Sequence, residues 1–228
     1  MDRNSSRKGA DCTVDVWDLP TRLFHWILVA LVLIAWLTGE EEGGAFIHRL
    51  AGFGVAGLLV FRVVWGFVGG EHARFADFAA GPSAIAAHVS NLFLKHPVQH
   101  LGHNPLGGVF VFLLLISLAI VVATGLFSDG EHNAGPFAGL WGLQLSDAHE
   151  VAFRTLQGLV AIHIAGVVFE TWKTRDALVR AMITGRKTRR AGGLSQHARR
   201  AGFGALLAAA GLGLAVFLVL TALPPAGR

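Results

Sequence analysis

The chain holds a single cysteine, Cys12, in a hydrophilic tail, so neither an internal disulfide nor a thiolate metal site forms within one copy. Charge is scarce too: Asp, Glu, Lys and Arg make up 15% of 228 residues, whereas 53% are hydrophobic. That balance belongs to a membrane protein rather than to an ordinary soluble domain. Strand-period alternation is missing and the apolar runs are too long for barrel strands, which excludes an outer-membrane barrel. No small-residue cleavage site follows the first apolar run at Thr38 and Gly39, so that run is expected to be retained rather than removed as a signal. The interiors of the apolar runs carry no Asp or Glu, which argues against an acidic proton relay.

What is present is five apolar runs, at residues 19–39, 48–69, 106–127, 149–170 and 201–222. Each reaches the roughly 20 residues that a helix rising about 1.5 Å per residue needs to cross hydrocarbon. Their pattern predicts an all-α transmembrane four-helix bundle with an additional C-terminal transmembrane helix. Residues 1–190 read as the bundle, and residues 191–228 as a basic linker with the fifth helix. That helix, rich in Ala, Gly, Leu and Val, reads as an anchor or as a packing face for another subunit.

Basic residues fall on one side of these spans. Residues 1–22, the second connection and residues 171–200 together hold fifteen Lys and Arg, while 40–47 and 128–148 hold none. By the positive-inside rule the amino terminus is cytoplasmic and the carboxyl terminus is outside. The run "GRKTRR" after the fourth span reads as topology and anionic-lipid contact, not as a nucleic-acid site.

Eleven histidines are many for such a chain. His72, His88, His96 and His100 fall in the inner loop, His132 in the outer loop and His197 in the linker, where water is expected to solvate them. His25, His48, His149 and His163 lie on spans, where a polar group is costly and usually has a task. Fourteen residues at about 100° each bring His163 to within about 40° of the face that carries His149, and about 21 Å further along the axis. The alternation of span directions then puts His25 level with His163 near the inner surface, and His48 level with His149 near the outer one.

Taken singly, each of these residues reads equally as a buried hydrogen-bonding group. As two pairs at two depths they read as axial ligands of two haems, because neutral imidazoles on opposing helices give six-coordinate iron suited to electron transfer. Zinc is disfavoured, since a pair of His with no Cys or carboxylate beside it does not build a tetrahedral site. Gly52, Gly54, Gly57, Gly158 and Gly166 leave room for a flat macrocycle or serve ordinary helix packing. Arg22, Arg49 and Arg154 lie close in sequence to these His and are candidates for holding propionates or lipid phosphates.

The motifs "VWDLPTRLFHW", "HRLAGFGV" with "FRVVWGFVG", "GHNPLGG" and "HEVAFRTLQGLVAIHIAGV" together resemble the bacterial cytochrome b561 family, which includes the cytochrome b subunits of nickel-iron hydrogenases. The likeness covers roughly residues 14–190. It implies a four-helix membrane bundle with two bis-His haem b groups at His25, His48, His149 and His163, exchanging electrons with the quinone pool. It also implies that His103, in "GHNPLGG", serves a quinone or a partner surface rather than iron. The fifth span departs from the four-helix members. The expected function is electron transfer across the bacterial inner (plasma) membrane between quinone and a redox partner protein, such as hydrogenase-like subunits. The alternative is a membrane anchor for a dehydrogenase or hydrogenase in which haem is structural.

Overall fold

The computed structural model describes residues 11–41, 43–94, 100–130, 134–190 and 198–224. Five long helices dominate: α1 (Leu19–Thr38), α2 (Ala45–Val68), α5 (Pro105–Leu126), α6 (Ser146–Thr174) and α8 (Phe203–Ala222). All five are long and apolar enough to cross a membrane. Smaller elements gather at one end of the bundle. These are β1 (Asp11–Asp15), α3 (Phe75–Phe78), α4 (Pro82–Leu92), α7 (Leu178–Thr184) and β2 (Arg186–Arg190).

Two helix starts follow from local chemistry. Asp18 caps α1, its Oδ1 accepting from the Thr21 amide at 2.8 Å, and Asn104 caps α5 by accepting from the Gly107 amide at 2.6 Å. Each cap is followed within two residues by a proline, Pro20 or Pro105, whose fixed φ suits the first turn and whose missing N–H costs nothing there. The fourth span outruns its apolar stretch. Helix α6 continues through Thr171 and Lys173 to Thr174, beyond the expected limit at residue 170, and stops where Arg175 takes a left-handed φ of 57°. Past the apolar run, hydrogen bonding and packing at the bundle end carry the helix on.

Helices α1 and α2 pack antiparallel, as do α5 and α6. The two pairs meet chiefly through α2 and α5. Between them lies a central apolar layer of Val55, Leu59, Leu118 and Leu156, flanked by Leu28, Leu31, Val32 and Val160. The outward faces, with Leu23, Ile27, Leu37, Phe67, Ile116 and Val168 exposed, form the surface that suits lipid.

The fifth span is packed against the bundle along its length. Helix α8 lies on α2 with Gly57 and Gly213 in backbone contact: a Cβ added to either would sit 2.6 Å from the carbonyl oxygen of the other. Closer to the basic end, Trp65, Ala73 and Ala209 form a second apolar cluster with Phe61 and Leu206. Its approach is pinned as well, since the Glu71 amide donates to the Arg199 carbonyl at 2.8 Å and the Arg199 amide donates to Glu71 Oε2 at 3.0 Å.

A two-stranded sheet stands beside the all-α bundle. β1 pairs antiparallel with β2, Thr13 opposite Thr188, and so ties the amino-terminal tail to the basic segment that follows α7. Both segments are thereby at the same end of the bundle. Gly185 joins α7 to β2 at φ 81°, where a side chain would be strained, and its carbonyl accepts from the Val16 amide at 2.7 Å. Lys187 is buried on β2, donating to Asp176 Oδ2 and to the His100 carbonyl, each at 3.0 Å.

Candidate functional site

At the level expected to be outer, His48, in the first turn of α2, and His149, in the first turn of α6, face each other across the bundle. Their ring centres are 6.1 Å apart and their planes are nearly perpendicular, at 88°. His48 Nδ1 lies 2.8 Å from the Ala35 carbonyl oxygen, and His149 Nδ1 lies 2.9 Å from that of Val121. A carbonyl can only accept, so each Nδ1 carries the proton and donates it. Each Nε2 therefore keeps its lone pair. Thr124 Oγ1, 3.3 Å from His149 Nδ1, belongs to the same cluster. Glycines allow these approaches: a Cβ on Gly39 would come within 3.2 Å of His48 Nδ1, and one on Gly125 within 2.9 Å of His149 Cε1.

That geometry suits one metal between the rings. A metal-bound imidazole nitrogen sits about 2 Å from its metal, which puts the centres of two opposed rings about 6 Å apart. The remaining ring hydrogen bond to a backbone carbonyl is the arrangement that orients a ligating histidine. The outer donor set thus fits a bis-imidazole iron.

The start of α6 is held by the outer connection. Ser146 Oγ donates to Asp129 Oδ1 at 2.7 Å and lies 3.1 Å from Ser128 Oγ. The hydrogen bond from Ser146 holds the Asp129 carboxyl below the usual carboxylate range. This clasp fixes the helix turn on which His149 stands.

At the level expected to be inner, His25 stands in the second turn of α1 and His163 on α6. His25 packs edge-on against Trp26 with ring centres 4.9 Å apart, and its Nδ1 is buried without a hydrogen-bond partner. Unlike His48 and His149, His25 has no ring hydrogen bond to a backbone carbonyl among the described residues, and its assignment with His163 to iron rests on the sequence.

Of the expected glycines, Gly52, Gly158 and Gly166 have nothing within 4 Å of an added Cβ and leave open space. Gly54 instead makes room for Leu31, and Gly57 for α8. Two of the three candidate arginines have protein partners: Arg22 donates to the Ile183 carbonyl at 2.6 Å, and Arg154 donates to Glu150 one turn back, from Nε at 3.0 Å. Arg49 makes no hydrogen bond among the described residues, so its assignment between propionate and lipid phosphate rests on the sequence alone.

The inner loop departs from expectation. His88 on α4 is 3% exposed rather than solvated; its Nε2 lies 3.7 Å from Glu170 Oε2, and its ring lies 5.1 Å from that of His100. Helix α4 turns one face onto α5, which the loop's partial amphipathicity allows and sequence spacing alone does not reveal. His103 sits between Trp17 and Phe78, with ring centres at 4.6 and 4.5 Å. Burial, reinforced by the nearby Arg62 charge, pushes it down to about 3, so the ring is neutral. His96, His132 and His197 lie outside the described residues.

Five helices long and apolar enough to cross a membrane, with the His48 and His149 rings facing each other between them, suit a membrane-embedded redox protein. The chain belongs to the prokaryotic cytochrome b561 family, whose model matches residues 16–185. It is similar to a protein of Rhizobium leguminosarum bv. viciae named "Probable Ni/Fe-hydrogenase B-type cytochrome subunit", at 27% identity over 77% of this chain and 89% of the relative. A protein of the same name from Bradyrhizobium diazoefficiens is 24% identical over 82% and 90% of the two chains. In Escherichia coli K12, the "Probable Ni/Fe-hydrogenase 1 B-type cytochrome subunit" is 21% identical over 81% and 94%. No solved structure matches at a significant level. The protein is therefore an integral-membrane b-type cytochrome of electron transport, with haem b as its cofactor.

Proposed function

We propose that the chain carries two haem b groups and passes electrons across the membrane between the quinone pool and a redox protein. His48 and His149 hold the outer haem, and His25 and His163 the inner one. Bound haem supplies a one-electron iron couple at each level. The residues of this chain supply axial nitrogens, fix ring orientation through the Ala35 and Val121 carbonyls, and keep water from the midplane with Leu156 and its neighbours.

The 6.1 Å separation of the His48 and His149 rings, both with Nδ1 bound to backbone carbonyls, carries this reading. The basic residues put the amino terminus in the cytoplasm and the carboxyl terminus outside. The polar inner cap, with His88, Asn104 and Glu170, supports a quinone site at the cytoplasmic end. The partner is then on the outer side, and the names of the relatives support a Ni/Fe hydrogenase in that place. A reduced-minus-oxidised spectrum with a pyridine haemochrome count on the purified protein tests the assignment. Two haem b per chain, both low-spin, is the expected result; one haem, or a high-spin signal in the wild type, overturns it.

A further inference from the structure

Arg62 stands on α2 and is 3% exposed. A guanidinium withdrawn so far from solvent inside a spanning helix is costly, and such a charge normally has an assigned counterpart. Its Cζ lies 4.9 Å from the ring centre of Phe75 and 6.0 Å from that of Phe78, the two aromatic residues of α3 that close over it. Those rings satisfy the face of the cation but not its N–H groups, and Nη1 is buried with no hydrogen-bond partner. Asp18 is near enough to act on it electrostatically. Each oxygen of that carboxylate already accepts one hydrogen bond, Oδ1 from the Thr21 amide at 2.8 Å and Oδ2 from Trp65 Nε1 at 3.2 Å, and none from Arg62 Nη1 among the described residues.

Position says which anion is missing. The Phe24 and Phe61 rings stack with centres 6.3 Å apart, so Arg62 is level with His25 across the α1–α2 contact. His103 shares Phe78 with Arg62, its ring centre 4.5 Å from that of Phe78 and the Arg62 Cζ 6.0 Å from it. His103 also has a buried Nδ1 without a partner. Two buried nitrogens without a hydrogen-bond partner among the described residues therefore lie against Phe78, with Trp17 and Phe75 beside them. A carboxylate accepts paired N–H donors from a guanidinium, and a haem brings two carboxylates with it.

We propose that Arg62, assisted by His103, is the anchor for a propionate of the inner haem. This rests on the assignment of that haem to His25 and His163. Arg62 is a positioning residue that also sets potential: a fixed positive charge favours the ferrous state, so its loss makes the inner haem harder to reduce. A purely architectural role, clamping α3 onto the bundle, would change stability without moving a potential.

The experiment is a potentiometric titration of the full-length haem-loaded protein, with resonance Raman spectra of the propionate bending region. Arg62→Gln, Arg62→Lys and His25→Ala are the variants, and the wave absent in His25→Ala identifies the inner haem. Arg62→Gln is expected to lower the ferrous-to-ferric ratio of the inner haem about tenfold at fixed potential, a shift of about 59 mV to the negative. The outer wave should stay in place. Arg62→Lys keeps the charge but loses the fork, and should shift the inner wave about threefold, or about 28 mV. Both variants should move the propionate band. An inner wave and propionate band unmoved in Arg62→Gln overturn the proposal; if that variant does not accumulate, the same result in Arg62→Lys does so. A wild type with one wave refutes the two-haem assignment instead, which separates the two failures.

Discussion

Substituting Gly213 tests whether the fifth helix belongs to the bundle without belonging to its redox centre. A Cβ at Gly213 would sit 2.6 Å from the Gly57 carbonyl oxygen, where ordinary contact begins at 3.4 Å, a shortfall of about 0.8 Å. Both sides of this contact are helix backbone, so relief requires the axes of α2 and α8 to separate. Overpacking of that kind costs about 1–3 kcal/mol, against a gain of about 1 kcal/mol from replacing a helical glycine by alanine. Gly213→Ala should therefore be destabilised by about 0–2 kcal/mol. Two residues earlier, Gly211 has nothing within 4 Å, so Gly211→Ala keeps only the helix gain. Thermal unfolding midpoints in one detergent should place Gly213→Ala below Gly211→Ala, at about 2–4 °C per kcal/mol. The haem spectrum should not change in either. Gly57 is nine residues beyond His48, about half a turn out of phase, so α8 lies on the side of α2 turned away from that ligand. Equal midpoints would refute the close contact, and haem loss in folded Gly213→Ala would refute the separation of α8 from the redox centre.

His48→Ala and His149→Ala should each disturb the outer haem alone, and His25→Ala and His163→Ala the inner one alone, seen as two classes of lost redox wave; any other grouping defeats the pairing. Lys187→Met should cost about 3–5 kcal/mol by stranding the Asp176 charge, and adding Asp176→Leu should recover part of that loss in thermal unfolding. Acidification should destabilise the fold. Burial holds His72, His88 and His103 below their ordinary values, so the unfolded chain protonates first, and stability present above about pH 6.5 falls as pH drops towards the folded values. The midpoint should thus be lower at pH 5.5 than at 7.5, with a smaller drop in His103→Gln; an equal drop would exclude His103 as a contributor.

The spans and their caps are legible because their causes are local. Asp18-Leu19-Pro20 and Asn104-Pro105 announce helix starts, and about 20 apolar residues announce a crossing. The depth of each histidine is legible for the same reason, since alternating direction and helical rise depend on nothing beyond the chain order. Partners are different. Nothing near Gly57 names Gly213, and nothing near Val14 names Lys187, its opposite number across the sheet. Arg62 stands inside the readable motif "FRVVWGFVG", yet its burial under Phe75 and Phe78 with Nη1 unpartnered among the described residues appears only in the fold. The arginines close to the ligands in sequence draw attention first, but Arg22 and Arg154 have protein partners, and proximity along a helix is not proximity to a cofactor edge.

The central layer bears on what the bundle can pass. Val55, Leu59, Leu118 and Leu156 lie between the two histidine levels, and the buried hydroxyl of Ser117 beside Leu118 is uncharged. An ion in such a layer would lose its hydration with nothing to replace it, a cost that far exceeds ordinary interaction energies. A proton moving by relay would need titratable groups at that depth, whereas among the described residues Glu170 and His88 lie at one end and Ser146 and Asp129 at the other. Electrons meet no such barrier, since a hop between two irons requires no desolvated charge to be carried by the protein itself. With haems at the two levels, the bundle would let electrons through while holding ions back.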